Sequence, residues 1–184
     1  MDMTEKDEIS RDLFLTSDVN AESTSGIIKE IIKVNNYDDA QENTVVDYKR
    51  EPIKLHVQSF GGSAYDCWAL VDVMLHSKTP VHTYCTGYAM SSGFLIFLAG
   101  AKRFASKHST FMYHQISIGY DYMEYTRIKE DIYENDFLQK MMERMVLERT
   151  KISEGRLKDV REKKLDWYIH LPTAIELGIV DEII

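Results

Sequence analysis

The stretch from residue 53 to residue 86 constrains the fold more than any other part of the sequence. Residues 53–58 alternate apolar and polar side chains, which predicts a strand with one buried face. A glycine-containing turn at 59–63 leads into residues 64–75, whose apolar side chains recur at helical spacing, and a β-branched run follows at 81–86. Strand, helix and strand in this order form a βαβ unit, in which the strands are parallel and the crossover is right-handed. The sequence therefore predicts an α/β protein.

A second glycine-containing turn, at residues 87–93, lies between that β-branched run and an apolar segment at 94–99. It is typical of a tight strand-to-helix connection, with Ser91 or Ser92 at the start of the helix. Backbone N–H groups at a helix N-terminus are unpaired and carry a partial positive charge, so they stabilise an alkoxide or an oxyanion. Both turns leave the carboxyl ends of parallel strands, and we expect them to meet in space. A serine here can also simply cap the helix, so the turn alone does not identify a nucleophile.

Composition and charge exclude several classes of protein. With 184 residues, 44% of them hydrophobic, the chain can bury a core without disulfides or metals. Its longest apolar run, at 94–100, is too short to cross a bilayer. The N-terminus is acidic and lacks the pattern of a signal peptide, so the sequence predicts a cytoplasmic protein. Cys67 and Cys85 are interpreted as buried thiols in a reducing compartment. The net charge of −8 argues against nucleic acid as a partner.

The rest of the chain divides into elements around this unit. Residues 1–10 are predicted to be a short mobile tail, and 35–52, rich in Asn and Asp, an exposed loop. A long helix is predicted at 122–148, with more apolar surface than one small domain covers, so we expect part of it to contact a neighbouring subunit. The other predicted helices lie at 21–34, 91–99 and 172–177, and the other predicted strands at 12–15, 102–105, 110–113 and 179–184.

Four short motifs occur in a fixed order along the chain. They are Ser59-Phe60-Gly61-Gly62; Gly87-x-Ala89-x-Ser91-x-Gly93 with Ala99-Gly100; Met112-x-His114-Gln115; and Asp166 followed by Pro172, Ala174, Glu176, Gly178 and Val180-Asp181. Together they resemble the signatures of the ClpP family, the proteolytic subunits of ATP-dependent Clp protease. The resemblance extends from about residue 11 to residue 184. It implies a single peptidase domain over residues 1–184 with a ClpP/crotonase-like fold, built of repeated ββα-type units with a long protruding helix.

The resemblance also implies a Ser-His-Asp triad and the activity of a serine-type endopeptidase. Ser91 corresponds to the nucleophile, His114 to the general base and Asp166 to the carboxylate that orients the imidazole. Serine needs a base with a pKa near neutrality to take its proton, and a carboxylate fixes the imidazole tautomer and stabilises the imidazolium. Asp159 is a nearby alternative for the carboxylate. Asp166 is favoured over it, because Asp166 precedes Pro172 by six residues, as in the motif of the family.

The oxyanion hole of the family corresponds to the backbone N–H groups of Gly62 and Ser92. A glycine at position 62 is expected to let the backbone approach the substrate without a Cβ in the way. Phe60 and Ile116 stand where the family usually has proline, and Met90 and Ser92 where it usually has alanine and methionine. The changes at positions 60 and 116 are expected to reshape the walls of the substrate groove.

For partners, the resemblance implies heptameric rings, two of which stack into a tetradecamer around a chamber, or mixed rings with related subunits. The substrates are expected to be unfolded polypeptides and short peptides, and no cofactor is implied because an AAA+ unfoldase spends the ATP. The unfoldase of the family docks in surface pockets lined partly by aromatic residues, and Lys54 and His56 occupy matching strand positions. We therefore expect docking to be weakened, unless neighbours such as Tyr84 or Phe111 rebuild the pocket.

Three alternative functions compete with this interpretation. An α/β-hydrolase esterase could use Ser91 in a nucleophile elbow, but its triad runs Ser, acid, His, and only His170 follows Asp166. A viral head-maturation protease shares the fold and the triad and acts on a capsid scaffold. A non-catalytic structural or regulatory ring subunit has no need of a triad, and the presence of Ser91, His114 and Asp166 argues against it.

Overall fold

The chain alternates between short strands and helices, and the computed structural model describes it over residues 9–119 and 124–184. Most of the predicted tail at 1–10 therefore lies outside the described residues. The elements in chain order are β1 (Asp12–Leu15), α1 (Ala21–Glu42), β2 (Ile53–Val57), α2 (Ala64–His76), β3 (Val81–Cys85), β4 (Tyr88–Met90), α3 (Ser92–Leu98), β5 (Lys102–Ala105), β6 (Thr110–Tyr113), α4 (Tyr125–Arg149), α5 (Glu154–Glu162), β7 (Trp167–His170), α6 (Leu171–Glu176) and β8 (Glu182–Ile183).

The strands form two sheets. The larger has the order β1-β2-β3-β5-β8 and is parallel throughout, and the smaller has the order β4-β6-β7. In the smaller sheet β4 and β6 are parallel, whereas β6 and β7 are antiparallel. The predicted βαβ unit is confirmed, because β2 and β3 are parallel neighbours joined through α2, with Leu55 opposite Thr83. The predicted α/β class is confirmed with it.

Helix α3 lies in the centre of the hydrophobic core. Every residue from Ser92 to Leu98 is buried, and Phe94 and Phe97 are completely shielded from solvent. Full burial of a side chain of this size stabilises the fold by about 1.5–3 kcal/mol. The helix contacts α2, α4 and strands of both sheets. Its N-terminus is therefore held from several sides and has a fixed position in the molecule.

The prediction of an exposed loop at 35–52 is wrong for its first part, because α1 continues to Glu42. Asp38 is completely buried there and accepts hydrogen bonds from Arg11, Tyr48 and Thr79. Burial alone would raise the pKa of Asp38, but these hydrogen bonds outweigh it and lower the pKa to about 2. Partners that are distant in sequence thus hold about two further turns of helix, and only 43–52 is non-helical.

Other boundaries differ from the predictions by a few residues. The predicted start of the long helix at 122 lies outside the described residues, and α4 occupies Tyr125–Arg149. Strand β4 forms within the predicted turn at 87–93, and the final strand is shortened to Glu182–Ile183. Helix α5 and strand β7 occupy a segment for which the sequence predicts no element.

The first half of α4 carries large apolar side chains in solvent. Tyr125, Ile132, Tyr133 and Phe137 are each at least half exposed, whereas the buried residues of the helix begin at Leu138. This surplus of apolar surface agrees with the expectation that part of the helix contacts a neighbouring subunit.

Neither a helix long and apolar enough to cross a membrane nor a metal-binding cluster of His, Cys, Asp and Glu occurs among residues 9–119 and 124–184. Cys67 and Cys85 are buried and form no disulfide. Burial raises the pKa of the Cys67 thiol to about 12, so this cysteine stays protonated and is not a reactive thiolate.

Candidate active site

Ser91 lies between β4 and α3, with its backbone in a conformation that few residues other than glycine adopt (φ 52°, ψ −124°). Its N–H donates to Met112 O (2.9 Å), and its carbonyl accepts from Phe94 N (3.0 Å) and Leu95 N (3.2 Å). These bonds hold both flanking peptides, so a strain of about 1–3 kcal/mol persists in the folded state. The turn leaves the Ser91 side chain at a surface cavity rather than in the core.

His114 follows β6, and the pairing of β6 with β4 explains how it reaches the serine. Met90 is opposite Met112 in parallel register, so both strands end at the same edge of the small sheet. His114 Nε2 lies 2.8 Å from Ser91 Oγ, within hydrogen-bond distance. With its proton on Nδ1, the imidazole accepts the hydroxyl proton at Nε2, which is the arrangement that a general base requires.

Asp166 precedes β7, which runs antiparallel to β6. Tyr113 is opposite Trp167, so the next positions along this ladder are His114 and Asp166. Asp166 Oδ1 is 3.6 Å from His114 Nδ1, an ion-pair distance longer than a hydrogen bond, and the carboxylate is 62% exposed. Asp159 lies on α5 instead and pairs with a lysine one turn along the chain. The structure thus places Asp166, and not Asp159, beside the histidine.

The turn after β2 presents a backbone N–H to the same region. Val19 N donates to Gly61 O (2.8 Å), and Ser63 N donates to Val19 O (2.8 Å). Because the C=O and N–H of a trans peptide point in opposite directions, the bond to Gly61 O turns the Gly62 N–H away from Val19. Within the described residues, neither this N–H nor that of Ser92, the first residue of α3, donates to a protein acceptor. Both are available to an oxyanion.

Gly61 and Gly62 both have positive φ angles (105° and 147°), but for different reasons. A Cβ on Gly62 would lie 2.3 Å from Val19 O, so this glycine lets the turn pack against Val19. The expectation that this glycine also lets the backbone approach the substrate stays a prediction. A Cβ on Gly61 would lie 2.7 Å from Ser91 Cβ and 3.0 Å from Ser92 N. The position that must lack a side chain beside the candidate nucleophile is thus 61.

A cavity of about 440 Å³ opens beside the serine and the histidine. Its walls are the start of α2, the segment at 116–118 and the middle of α4, and none of the described lining residues is Asp, Glu, Lys or Arg. The apolar side chains in the walls are Ala64, Ile116, Ile118, Leu138 and Met142. Such a cavity suits an uncharged side chain of a bound peptide.

The comparison with known proteins agrees with the fold. The family model for Clp protease matches residues 2–184 of the chain. The chain belongs to the Clp protease family. The predicted resemblance is confirmed, and it covers nearly the whole sequence.

Curated relatives in the Clp protease family are similar over most of their length. Proteolytic subunit 1 of the ATP-dependent Clp protease of Prochlorococcus marinus is 29% identical over 175 residues, which cover 94% of this chain and 83% of that protein. Proteolytic subunit 2 of Synechococcus sp. is 28% identical over 176 residues, with 95% and 83% covered. The solved structure of a ClpP1 mutant from Listeria monocytogenes matches with a TM-score of 0.78 at 24% identity, over 95% of this chain and 91% of that chain. This last similarity confirms the ClpP-like fold.

Gln139 contributes to the site and is not predicted by the sequence reasoning. It is buried on α4 (6% exposed), accepts a hydrogen bond from Ile116 N (2.8 Å) and donates to Glu143 Oε1 (3.0 Å) and to the Tyr113 hydroxyl (3.3 Å). Glu143 pairs in turn with Arg161 on α5. Where the Clp protease family usually has proline, Ile116 has an N–H, and Gln139 satisfies it. The sequence signal is an amide at an inward-facing helical position among apolar neighbours.

The solvent-facing side of the large sheet carries a row of stacked rings across four strands. His56 stacks on Phe14 (4.8 Å between ring centroids) and on Tyr84 (5.3 Å), and Tyr84 stacks on Phe104 (4.5 Å). Of the two neighbours considered able to rebuild a docking pocket for a Clp unfoldase, Tyr84 is on this surface, whereas Phe111 is completely buried. The surface is therefore aromatic even though one of the two inner rings of the row is an imidazole.

Proposed function

We propose that this member of the Clp protease family is a serine-type endopeptidase whose nucleophile is Ser91. The observation that carries the proposal is the 2.8 Å contact between His114 Nε2 and Ser91 Oγ at the N-terminus of α3. Beside it are two backbone N–H groups without a protein acceptor among the described residues. A serine that only caps a helix needs neither a base nor free donors. Membership of the Clp protease family supports peptidase chemistry independently of this geometry.

In the proposed reaction, His114 Nε2 removes the proton from Ser91 Oγ as this oxygen attacks the carbonyl carbon of the scissile peptide bond. The carbonyl oxygen becomes an oxyanion and accepts hydrogen bonds from the N–H groups of Gly62 and Ser92. The imidazolium then gives its proton to the leaving amine as the C–N bond breaks, which leaves an acyl-enzyme. Water, deprotonated by His114, hydrolyses the ester and restores the serine.

Asp166 is proposed to orient the histidine and to stabilise it once it is charged. Its carboxylate is 62% exposed and 3.6 Å from His114 Nδ1, so solvent weakens its attraction for the imidazolium. Its main contribution is then to keep the proton on Nδ1 and leave Nε2 free to accept. We expect the contact to shorten in the complex with substrate, because catalytic hydrogen bonds often tighten only there.

The substrates that we propose are unfolded polypeptides and short peptides, cleaved after an apolar residue. The cavity beside Ser91 holds about 440 Å³, and no charged side chain is among its described lining residues. A charged substrate group placed there would lose its hydration without gaining a partner. Extended chains are favoured because a folded domain cannot bring its backbone to the turn at 61–63.

We propose that the active sites lie inside an oligomeric chamber made of rings of subunits. Members of the Clp protease family form such rings and partner with Clp ATPases. The exposed apolar first half of α4 supports assembly of this chain, because an apolar surface of this kind is normally buried in an interface with another protein. The proposed assembly is a heptameric ring, stacked in pairs or mixed with related subunits. The two buried, unbridged cysteines support a reducing compartment, and we propose the cytoplasm.

Labelling with a fluorophosphonate, followed by peptide mapping, tests the proposed function. The reagent should modify Ser91 in the wild type and leave Ser91→Ala unlabelled, because phosphonylation requires the activated hydroxyl. His114→Ala should remain folded and lose both labelling and peptide turnover. A label on Ser92 would contradict the assignment of the nucleophile. Folded rings that take no label would support the alternative of a non-catalytic ring subunit.

A further inference from the structure

We infer that the hydroxyl of Ser92 is a positioning group for the oxyanion hole, in addition to the backbone N–H that the same residue contributes. This inference rests on the proposed function. Ser92 Oγ donates a hydrogen bond to Gly62 O (3.0 Å), so one side chain joins the two segments whose N–H groups form the hole. Ser92 is 5% exposed, and water competes little for either partner.

The two halves of the hole come from different parts of the chain, and the Ser92 hydroxyl supplies a second tie between them. The first tie runs through Ser59, whose backbone pairs with Tyr88 and Met90 and whose Oγ accepts from Gly61 N (3.1 Å). This tie reaches the turn only up to residue 61. Two segments that are joined at one point can still rotate relative to one another, and the bond from Ser92 Oγ removes that freedom.

The bond acts on a residue that has little conformational restraint of its own. Gly62 has a φ of 147° and no side chain, so its backbone dihedrals are fixed only by the hydrogen bonds of the two flanking peptides. The peptide before it is held at Gly61 O by Val19 N. The peptide after it is held at Ser63 N by Val19 O and at Gly62 O by Ser92 Oγ. Among the described residues, no other protein donor reaches Gly62 O.

The carbonyl group of Ser92 accepts a hydrogen bond from a buried thiol on α2. Cys67 Sγ donates to Ser92 O at 3.4 Å from α2 and is completely buried. Because burial raises the pKa of this thiol to about 12, it keeps its proton and remains a donor. Ser92 is therefore anchored at its carbonyl, and its hydroxyl transmits that fixed position to Gly62.

The test compares Ser92→Ala with the matched control Ser109→Ala. Ser109 is also buried (2% exposed), and its hydroxyl also donates to a backbone carbonyl, Cys85 O at 2.7 Å, at the opposite end of β6 from the histidine. Loss of either hydroxyl should lower thermal stability to a similar extent. Only Ser92→Ala should lower kcat for a fluorogenic peptide, by roughly 10-fold, with KM changed by less than about twofold. This loss is smaller than the roughly 100- to 1,000-fold effect of deleting a donor, because the N–H is displaced and not removed.

A second measurement separates the oxyanion hole from a general structural defect. A peptide aldehyde forms a hemiacetal with Ser91 whose oxygen occupies the hole, whereas the corresponding peptide alcohol binds without forming that bond. Ser92→Ala should raise the inhibition constant of the aldehyde roughly 10-fold and leave that of the alcohol unchanged within about twofold.

Two results would overturn the inference while the proposed function stands. One is a kcat in Ser92→Ala equal to that of Ser109→Ala, and the other is an equal weakening of aldehyde and alcohol. A wild-type protein that neither cleaves peptides nor reacts with a fluorophosphonate would instead overturn the proposed function, and the inference with it.

Discussion

Gly61→Ala is expected to remove catalysis while the chain still folds. The new Cβ would lie 2.7 Å from Ser91 Cβ, 2.9 Å from Met90 O and 3.0 Å from Ser92 N, whereas packed carbon atoms are normally about 3.5–4.0 Å apart. Relief of the closest contact therefore requires a displacement of about 1 Å. Two of the three atoms are backbone atoms next to Ser91, so the displacement reaches the nucleophile and the Ser92 N–H together. A misplacement of this size at the reacting atoms costs roughly 100-fold in rate.

The assay is kcat/KM for a fluorogenic peptide, with the unfolding temperature measured on the same samples. Gly26→Ala is the control, because a Cβ at this position inside α1 would meet nothing within 4 Å. It should raise the unfolding temperature slightly, since alanine is favoured over glycine in a helix by about 1 kcal/mol, and leave kcat/KM unchanged. Gly61→Ala should fold, with a lower unfolding temperature from its φ of 105°, and lose at least roughly 100-fold in kcat/KM. A loss below about threefold would refute the reasoning, because the turn would then yield without moving Ser91.

Four further predictions concern other parts of the molecule. Asp166→Asn should lower kcat by at least roughly 100-fold and Asp159→Asn should not; the opposite pattern in steady-state kinetics would reassign the carboxylate. The pKa of Asp38 is lowered from 3.8 to about 2, so the ionised carboxylate adds about 2 kcal/mol to the free energy of unfolding. This contribution is complete above about pH 4 and is lost as the pH falls towards 2. Asp38→Asn should remove this part of the pH dependence of urea unfolding. The wild type should sediment as rings at micromolar concentration and Tyr133→Lys as smaller species, whereas a purely monomeric wild type would contradict the chamber. With a standard Clp ATPase and ATP, a tagged folded protein should be degraded slowly, because Lys54 would place a charge on the strand that matches the docking surface of the family. Robust processive degradation would show ordinary docking.

Local pattern predicts most of the strands, but it does not predict the end of α1. Strands β1, β5 and β6 have the bounds that the sequence predicts. Asn35 and Asp38 disfavour a helix interior when judged by sequence alone. Their polar groups are satisfied by side chains and backbone far along the chain, with Asn35 bound to Ser77 and Thr79 and Asp38 bound to Arg11 and Thr79. No local pattern contains that information.

The sequence predicts which side chains belong to the candidate site, but it does not predict most of the contacts that position them. The order of the motifs and the family resemblance identify Ser91, His114 and Asp166, and the structure places these three side chains together. Strand β7 lies in a segment for which the sequence predicts no element, so its pairing with β6 is not predictable. The hydrogen bond between Gln139 and Ile116 N joins residues 23 positions apart, and the atoms that exclude a side chain at Gly61 belong to residues 90–92. No local pattern predicts which residues these two positions meet.

The geometry of the candidate site depends on short strand pairings, and this makes Asp166 the least constrained member of the proposed triad. Ser91 is bonded to Met112 and rests on the fully buried α3, and His114 follows the central strand of the small sheet. Asp166 adjoins β7, one of the two edge strands of that sheet, and its carboxylate is more than half exposed. The other edge strand, β4, is bridged at Ala89 to Ser59. An edge strand has one unpaired side and is therefore free to shift by the fraction of an ångström that separates 3.6 Å from a hydrogen bond. A neighbouring subunit that covers β7 would remove that freedom. An assembly that covers both β7 and the apolar face of α4 is thus expected to complete the proposed triad.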